Sequence, residues 1–419
     1  MKPTRHLLAA LATTAALAAG SASAATTWIT IGERAHALLE PIAPQMRTLS
    51  STQVAVTVPV QRGKNAQLKR SSETVYAVEI DDAVLPELSE QVHEKLRRCG
   101  GFMQHASMAE ALAVLHRAGV GTPEPTLAPS YTIDNQALVN SMIQQPQASN
   151  ILATIQTLSD FQNRRHTSSH GAAASNWLFN QWKALQPQFR RDVQVRQFTH
   201  SWGQKSVIMD FLGSTNSAEV IVIGGHLDST ASGNAETVRA PGADDDASGV
   251  ATLTEVIRVL VANNYTPKRT IRFIAYAAEE AGLLGSRDIA IAAAGDRARV
   301  VGVMQLDMTA YKGDNTDLWI YTDYTNAAQN QFLANLAAAY LPELSVGYDA
   351  CGYGCSDHAS WHNRGYIASF PFEASDNTYN PRIHTALDTI ATFGGTANHA
   401  VKFSKLALAY ALELGSDGP

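Results

Sequence analysis

Three apolar segments of the sequence each run directly into residues that can bind a metal ion or transfer a proton. The first ends at His226, the second at the pair Glu279 and Glu280, and the third at Asp307. A further loop, residues 241–249, adds three consecutive aspartates flanked by glycines. Because parallel strands end at one edge of a sheet, and functional residues gather there, we expect these side chains to lie together.

Such a cluster has the composition of a zinc site. Several acidic groups at one buried edge are costly unless cations compensate them. Mixed histidine and carboxylate ligands suit Zn²⁺ better than Ca²⁺ or Mg²⁺, which prefer oxygen. The candidate ligands at the strand ends outnumber the three protein ligands that a single catalytic zinc uses. We therefore expect two ions about 3.5–4 Å apart, bridged by a carboxylate and a water or hydroxide.

The charge count agrees with two ions. One loop aspartate, one glutamate and Asp307 supply three negative charges, which two Zn²⁺ ions and one bridging hydroxide balance. A second histidine ligand is expected further along the chain.

The two adjacent glutamates can divide the chemistry between them. Neighbouring residues of an extended chain point in opposite directions. We expect Glu280 to bind metal, while Glu279 faces the bridging water, takes its proton and delivers it to the departing amine. Asp228, two residues after His226, is predicted to orient the imidazole ring; the alternative is an ordinary turn aspartate.

The elements that would position these residues follow an α/β pattern. Strands are predicted at residues 207–212, 220–223, 271–276, 300–306, 318–321 and 367–370. Helices are predicted at residues 150–164, 175–185, 249–262, 326–340 and 398–414. Near-continuous apolar strands interleaved with helices predict a central sheet, mostly parallel but mixed, sandwiched between helices.

Five motifs of this region resemble, in order, those of the secreted bacterial leucyl aminopeptidases with a co-catalytic pair of zinc ions. They are residues 226–230, 242–249, 277–282, 305–308 and 381–385. The resemblance implies the zinc exopeptidase fold, two Zn²⁺ per catalytic domain, and hydrolysis of N-terminal peptide bonds with a preference for Leu and other large apolar residues. The ligands that it implies are His226, Asp245, Glu280, Asp307 and His384.

The same resemblance implies a role for each ligand. Asp245 would bridge the two ions, with Asp307 on the ion of His226 and Glu280 on the ion of His384. It also implies that the peptide bond after Asp245 is cis, and it agrees with the glutamate before Glu280 as the base.

Cys351 and Cys355 are predicted to form a disulfide, because the sequence around them does not complete a zinc knuckle. Closing so short a loop adds little chain entropy, so the bond is expected to stiffen the loop that carries Tyr353. By the resemblance, Tyr353 donates a hydrogen bond to the tetrahedral oxyanion; simple packing is the alternative role.

An apolar pocket for the first substrate side chain is expected near these motifs. Each candidate could equally belong to the core, and the candidates are Met308, Ile320, Phe370, Phe372, Tyr379 and Ile383.

The first 24 residues have the order of a secretory signal, with a short positive start, an apolar run and small residues before the cleavage site. We therefore expect signal cleavage and an extracellular location; an uncleaved anchor is the alternative. No other stretch approaches about 18 uninterrupted apolar residues, so no stable membrane span is expected.

Residues 25–127 are predicted to form a small α+β unit ahead of the catalytic domain at residues 128–419. Strands are predicted at residues 28–31, 54–58 and 75–80, and helices at residues 85–96 and 108–117. The Pro-rich stretch at residues 121–129 is expected to be exposed to proteases. By the resemblance, the unit is a removable pro-segment that inhibits its own enzyme; a permanent accessory domain is the alternative. Its His, Cys and acidic residues lack ligand spacing, so no chemistry is assigned to it.

The composition disfavours one class of binding partner. The 419 residues include 32 Lys and Arg against 38 Asp and Glu, a net charge of −6, which disfavours nucleic acid as a partner.

We expect a monomer that acts on peptides or proteins with a free N-terminus. The alternatives are a single-zinc glutaminyl cyclase, a carboxypeptidase, for which only Arg382 lies beside a ligand motif, and a receptor-like binding domain, in which a ligand or base should be missing.

Overall fold

The computed structural model describes residues 25–62, 65–96, 101–120 and 128–417. The predicted signal, Cys99 and most of the predicted linker lie outside these residues. Within them, no helix combines the length and hydrophobicity needed to cross a bilayer.

In its described residues, the N-terminal unit consists of an antiparallel sheet and three α-helices. In chain order its elements are β1 (Thr26–Gly32), α1 (Glu33–Ile42), β2 (Arg47–Arg62), β3 (Asn65–Asp81), α2 (Leu85–Leu96), β4 (Phe102–His105) and α3 (Met108–Val120). The strand order is β2-β3-β1-β4. The predicted α+β character is confirmed; α1 and β4 are additions that the pattern did not indicate.

The second unit contains eight strands and eight helices among the described residues. Its first half comprises α4 (Gln136–Met142), α5 (Ala148–Asp160), α6 (Ser169–Leu185), β5 (Val193–Phe198), β6 (Ser206–Phe211), β7 (Asn216–His226), α7 (Ala247–Ala262) and β8 (Arg269–Tyr276). Its second half comprises α8 (Leu284–Gly295), β9 (Arg299–Gln305), β10 (Leu318–Tyr321), α9 (Ala327–Tyr340), β11 (Val346–Asp349), α10 (His358–His362), β12 (Ala368–Phe372) and α11 (Asn398–Ser416).

The eight strands form one mixed sheet in the order β11-β10-β12-β9-β7-β8-β6-β5. The central strands β12, β9, β7 and β8 are mutually parallel, whereas β6 runs antiparallel to β8 and β10 antiparallel to β12. The predicted mostly parallel but mixed sheet is therefore confirmed.

Alternate side chains of the central strands enter two different cores, one on each face of the sheet. On β7, Ile221 and Ile223 pack with α5, α7, α9 and α11, while Val220 and Val222 pack with α8 and Trp361 of α10. Both faces are thus covered by helices, which explains why these strands read as continuous apolar runs.

Candidate metal centre

Adjacent parallel strands bring the predicted metal-binding residues to one edge of the sheet. In the register of β7 and β8, His226 pairs with Tyr276, three residues before Glu279. In the register of β7 and β9, Gly224 pairs with Gln305, two residues before Asp307. The predicted convergence of the strand ends is confirmed.

Asp245 lies between two histidines and faces each with a different oxygen. Its Oδ1 is 3.0 Å from Nε2 of His226, and its Oδ2 is 3.0 Å from Nε2 of His384. On the first side, Asp307 Oδ1 lies 3.5 Å from His226 Nε2; on the second, Glu280 Oε2 lies 3.1 Å from His384 Nε2. The five side chains are buried. They form a first group around His226, with Asp307, and a second group around His384, with Glu280, and Asp245 belongs to both.

The donor atoms of this cluster fit zinc. Among the described residues, several of these buried atoms make no hydrogen bond: Nε2 of His226 and of His384, Oδ1 of Asp307, and both oxygens of Glu280. Polar atoms buried in this way are costly, and imidazole nitrogens with carboxylate oxygens are zinc ligands. A cation at each group would satisfy them.

The electrostatics also favour cations. Burial alone would lower the pKa of His384, but the Glu280 and Asp245 carboxylates outweigh it and raise that pKa to about 10. Burial and the charge on Asp245 raise the pKa of Glu280 to about 7, although His384 acts against them. The potential inside the site is therefore strongly negative.

Asp246 has a different role from Asp245, although one of its oxygens also lies within 4.8 Å of donor atoms of His226 and Asp307. Its Oδ1 accepts the N–H groups of Gly249 and Met308, and its Oδ2 accepts the N–H of His226. Because both oxygens are used by the backbone, Asp246 caps α7. The peptide bond between Asp245 and Asp246 is cis, as the resemblance implied.

The start of α7 must approach the strand end closely. A Cβ added at Gly249 would lie 2.3 Å from the backbone oxygen of Leu306, a distance no side chain tolerates. Only glycine lets the loop that carries Asp245 reach the residue before Asp307.

Asp228 supports both the histidine and the glutamates. Its carbonyl accepts a hydrogen bond from Nδ1 of His226 at 3.2 Å, which leaves the lone pair of Nε2 on the side of Asp245 and Asp307. Its carboxylate accepts the N–H groups of Glu279 at 3.0 Å and Glu280 at 3.2 Å. The turn-aspartate alternative does not account for these contacts.

Glu279 is fully buried beside the first group. Within the described part of the chain, neither of its oxygens makes a hydrogen bond. Burial, together with the nearby charges of Glu280 and Asp307, raises the pKa of Glu279 well above its ordinary value despite His226. A carboxylate with such affinity for protons is suited to accept one from water and release it again.

Sequence reasoning missed several residues that hold the site in place. Asp388 accepts the N–H groups of Asp244 and Asp245 and the amide of Asn380. Ser356 donates to Oδ2 of Asp307 at 2.6 Å, leaving Oδ1 for a metal. All of these partners except Asn380 lie far away in the sequence, so no local spacing signals the contacts with them.

Arg164 was missed for the same reason. Its fully buried guanidinium donates to the carbonyl oxygens of Leu227, Pro241 and Gly242. It thereby joins the residue after His226 to the start of the acidic loop.

A narrow cavity of about 30 Å³ opens beside Asp307, and most of the predicted pocket residues line it. It is lined by Met308, Phe370, Phe372, Tyr379 and Ile383, together with Tyr321, Tyr353, Asp376 and the Cys351–Cys355 disulfide. The disulfide is confirmed. Ile320 instead packs in the main core: on β10 it points to the opposite face from its neighbour Tyr321, so its inclusion in the pocket was wrong.

The N-terminal unit, to which the sequence assigned no chemistry, also reaches the site. His93 of α2 is buried, with its Nε2 3.5 Å from Oε2 of Glu280. His93, Glu280 and His384 could hold a metal ion together, because one donor atom of each lies within 4.8 Å of the others.

Comparison with known proteins identifies related sequences and structures. Residues 206–409 match peptidase family M28. A probable aminopeptidase of Saccharomyces cerevisiae is 33% identical over 307 residues, covering 70% of this chain and 80% of the relative. Leucine aminopeptidase 1 of Grosmannia clavigera is 31% identical over 354 residues, covering 81% and 85%. The crystal structure of the Legionella pneumophila aminopeptidase LapA superimposes with a TM-score of 0.73 at 28% identity, covering 95% of this chain and all of that one.

Proposed function

Because the chain belongs to peptidase family M28 and is a zinc-dependent aminopeptidase, we propose that two Zn²⁺ ions act together in it, one on each side of Asp245. The observation that carries this proposal is the position of the Asp245 carboxylate, with one oxygen 3.0 Å from each histidine. A single ion would leave one of these two groups of buried donor atoms uncompensated.

Each ion would then have its own ligands besides the shared carboxylate. His226 and Asp307 would hold the first ion, and Glu280 and His384 the second. Three carboxylates against two divalent cations leave one positive charge, which a hydroxide between the ions would neutralise.

When bound, zinc supplies Lewis acidity, which makes water acidic enough to lose a proton near neutral pH and polarises the scissile carbonyl. Glu279 accepts the proton from the attacking water and passes it to the amine that leaves. Tyr353, held by its disulfide loop beside Asp307, would donate a hydrogen bond to the oxyanion of the substrate. Asp228 fixes the backbone from which Glu279 acts.

The substrates are peptides or proteins with a free N-terminus. We propose that the first side chain enters beside Asp307, where the cavity of about 30 Å³ must widen to admit it and the wall is mostly aromatic and aliphatic. Such a wall favours Leu, Met and Phe over charged residues.

We further propose that the enzyme is exported, monomeric and made as a latent precursor. Residues 1–24 would be removed on export, and residues 25–127 would inhibit the enzyme until they are cleaved away. The Cys351–Cys355 disulfide supports export because such bonds persist in oxidising compartments. Terminal sequencing of the secreted protein would test both cleavages.

The decisive experiment combines metal analysis with kinetics on chain cleaved in the predicted linker. We expect two zinc ions per chain and hydrolysis of Leu-p-nitroanilide, but no hydrolysis of the N-acetylated compound. Glu279→Ala should keep both ions and lose turnover, whereas Glu280→Ala should lose one ion. The matched control is Glu343→Ala, at an exposed position, which should do neither.

One bound ion, or equal rates with the blocked compound, would contradict the proposal. One ion together with release of ammonia from an N-terminal glutamine would point instead to the glutaminyl cyclase alternative.

A further inference from the structure

Helix α2 of the N-terminal unit places His93 against the second group of potential ligands, next to Glu280 and His384. The His93 side chain is 5% exposed, and its ring centroid lies 4.1 Å from that of His384. Its Nε2 lies 3.5 Å from Oε2 of Glu280 and, among the described residues, makes no hydrogen bond. A buried imidazole nitrogen without a hydrogen bond, at the edge of a proposed zinc position, has the environment of a ligand.

The number of donors around that position supports the same role. Glu280, His384 and the second oxygen of Asp245 supply three ligands, and a catalytic zinc with three protein ligands keeps its fourth position for water or substrate. His93 would fill the fourth position. Four protein ligands are typical of closed, structural zinc sites.

Other contacts hold α2 and the neighbouring strand β4 against this part of the catalytic unit. Ser89, one helical turn before His93 and on the same face, donates a hydrogen bond to the backbone oxygen of Glu280. The N–H of Gln104 donates to the carbonyl of Gly282, and the Phe102 ring lies so close that a Cβ on Gly282 would be 2.9 Å from it. The unit therefore docks on the segment that begins with the ligand Glu280.

A second set of contacts lies further along the same interface. Met103 packs with Leu283 and Tyr324 in one apolar cluster. Glu110 forms ion pairs with Arg287 and Arg364. These contacts hold the N-terminal unit, and with it α2, against the catalytic unit without metal, so a zinc bond to His93 would strengthen an interface that already exists.

We propose that His93 is a zinc ligand in the uncleaved chain, completing a four-ligand set with Asp245, Glu280 and His384. This inference rests on the proposed two-zinc function and names the group by which the N-terminal unit closes the site. His93 occupies the coordination position that substrate needs, and removing the unit vacates it. Zinc binding and docking of the unit must then strengthen each other by the same factor.

The test compares metal binding by full-length chains. The variants are His93→Ala and the bulkier His93→Gln, with His116→Ala as the matched control, because His116 is an exposed histidine of the same unit. Zinc affinities are measured by competition with a chelator, and Co²⁺-substituted chains are compared by visible absorption, which responds to coordination number and ligand type. We expect one of the two ions to bind at least about tenfold more weakly in both His93 variants, with an altered Co²⁺ spectrum, and no change in His116→Ala.

A second measurement tests the coupling directly. After cleavage in the linker, the N-terminal fragment should dissociate more readily from the wild-type catalytic domain when zinc is chelated. In His93→Gln, chelation should have less effect on that dissociation.

Equal zinc affinities and equal Co²⁺ spectra in wild type and both His93 variants would overturn the inference and reduce His93 to packing against His384. That result would leave the proposed function intact if two ions still bind. Binding of fewer than two ions by the wild-type chain, before and after cleavage, would instead overturn the two-zinc proposal itself.

Discussion

The carboxylate of Asp228 accepts the backbone N–H of Glu279 at 3.0 Å, so the proposed general base is held through its main chain while its side chain is left unbonded among the described residues. The same oxygen lies 3.5 Å from Nδ1 of His226. One aspartate thus links a proposed metal ligand to the proposed general base.

Asp228→Asn should impair both functions while preserving the shape of the side chain. An amide offers one acceptor oxygen where the carboxylate offers two, so one N–H of the glutamate pair loses its partner. We expect zinc affinity and kcat/KM each to fall about 10–100-fold, measured by chelator competition and by hydrolysis of Leu-p-nitroanilide. Asp160→Asn, an exposed change at the end of α5, is the control. Unchanged zinc affinity would show that Asp228 does not support the metal centre.

The part of the site that could be predicted from the sequence is the part set by strand ends. His226, Glu280 and Asp307 follow apolar strands, and a parallel sheet necessarily gathers such residues at one edge. Only the family resemblance selected Asp245 among the three consecutive aspartates, because the residues around them do not distinguish one from another. In the structure the choice depends on distant contacts, such as those of Asp246 with Met308 and of Asp245 with Asp388.

In the fold, too, the sequence predicted the buried elements but not those that depend on distant contacts. The central strands were predicted because both of their faces are buried, but the edge strands β5 and β11 were not. On β5 only Val193 is buried and the other five residues are exposed or half-buried, and β11 is four residues long and mostly half-buried. His93 could not be predicted as a partner of Glu280 because docking of two units, rather than any spacing, brings them together.

Tyr353→Phe tests the proposed stabilisation of the oxyanion. The ring still fills its place at the buried loop, but the hydroxyl donor is gone. We expect kcat of the cleaved enzyme to fall about 10²–10³-fold with little change in KM. Zinc content should stay the same, which metal analysis would check.

The control for this change is Tyr366→Phe, which removes a hydroxyl bonded to the carbonyl of Ala298. Its kinetics should match those of the wild type. If Tyr353→Phe retains full kcat, the tyrosine packs the loop and has no part in the reaction.

Phe372→Leu should change the choice of substrate. Phe372 lines the cavity beside Asp307 and packs against Tyr321, with ring centroids 4.9 Å apart. A smaller side chain enlarges the pocket, so the ratio of kcat/KM for Phe-p-nitroanilide to that for Leu-p-nitroanilide should rise about tenfold.

Ile320→Val is the matched control, because Ile320 lies in the strand next to Phe372 but in the main core. It should lower the free energy of unfolding by about 0.5–1.5 kcal/mol and leave the substrate ratio unchanged. The same ratio in wild type and Phe372→Leu would place the specificity pocket elsewhere.

Asp323 should make stability depend on pH through the loop that carries Tyr353. Its carboxylate accepts the N–H groups of Cys351 and Gly352. Burial, with a smaller contribution from Asp376, nevertheless raises the pKa of Asp323 to about 7. Its nearby histidine, His358, donates to the Asp323 carbonyl and has a pKa lowered to about 3 by burial, so it stays neutral over this range.

A raised carboxyl pKa means that the folded state binds the proton more tightly than the unfolded state. The contribution of Asp323 to stability is therefore greatest below pH about 4 and is lost as pH rises through about 7. Urea unfolding of wild type and Asp323→Asn across pH 5 to 8 should show wild type losing stability relative to the variant as pH rises. The exposed control Asp160→Asn should keep a constant difference from wild type. A constant difference for Asp323→Asn as well would mean that the carboxylate remains ionised in the fold, held by the two N–H groups of the disulfide loop.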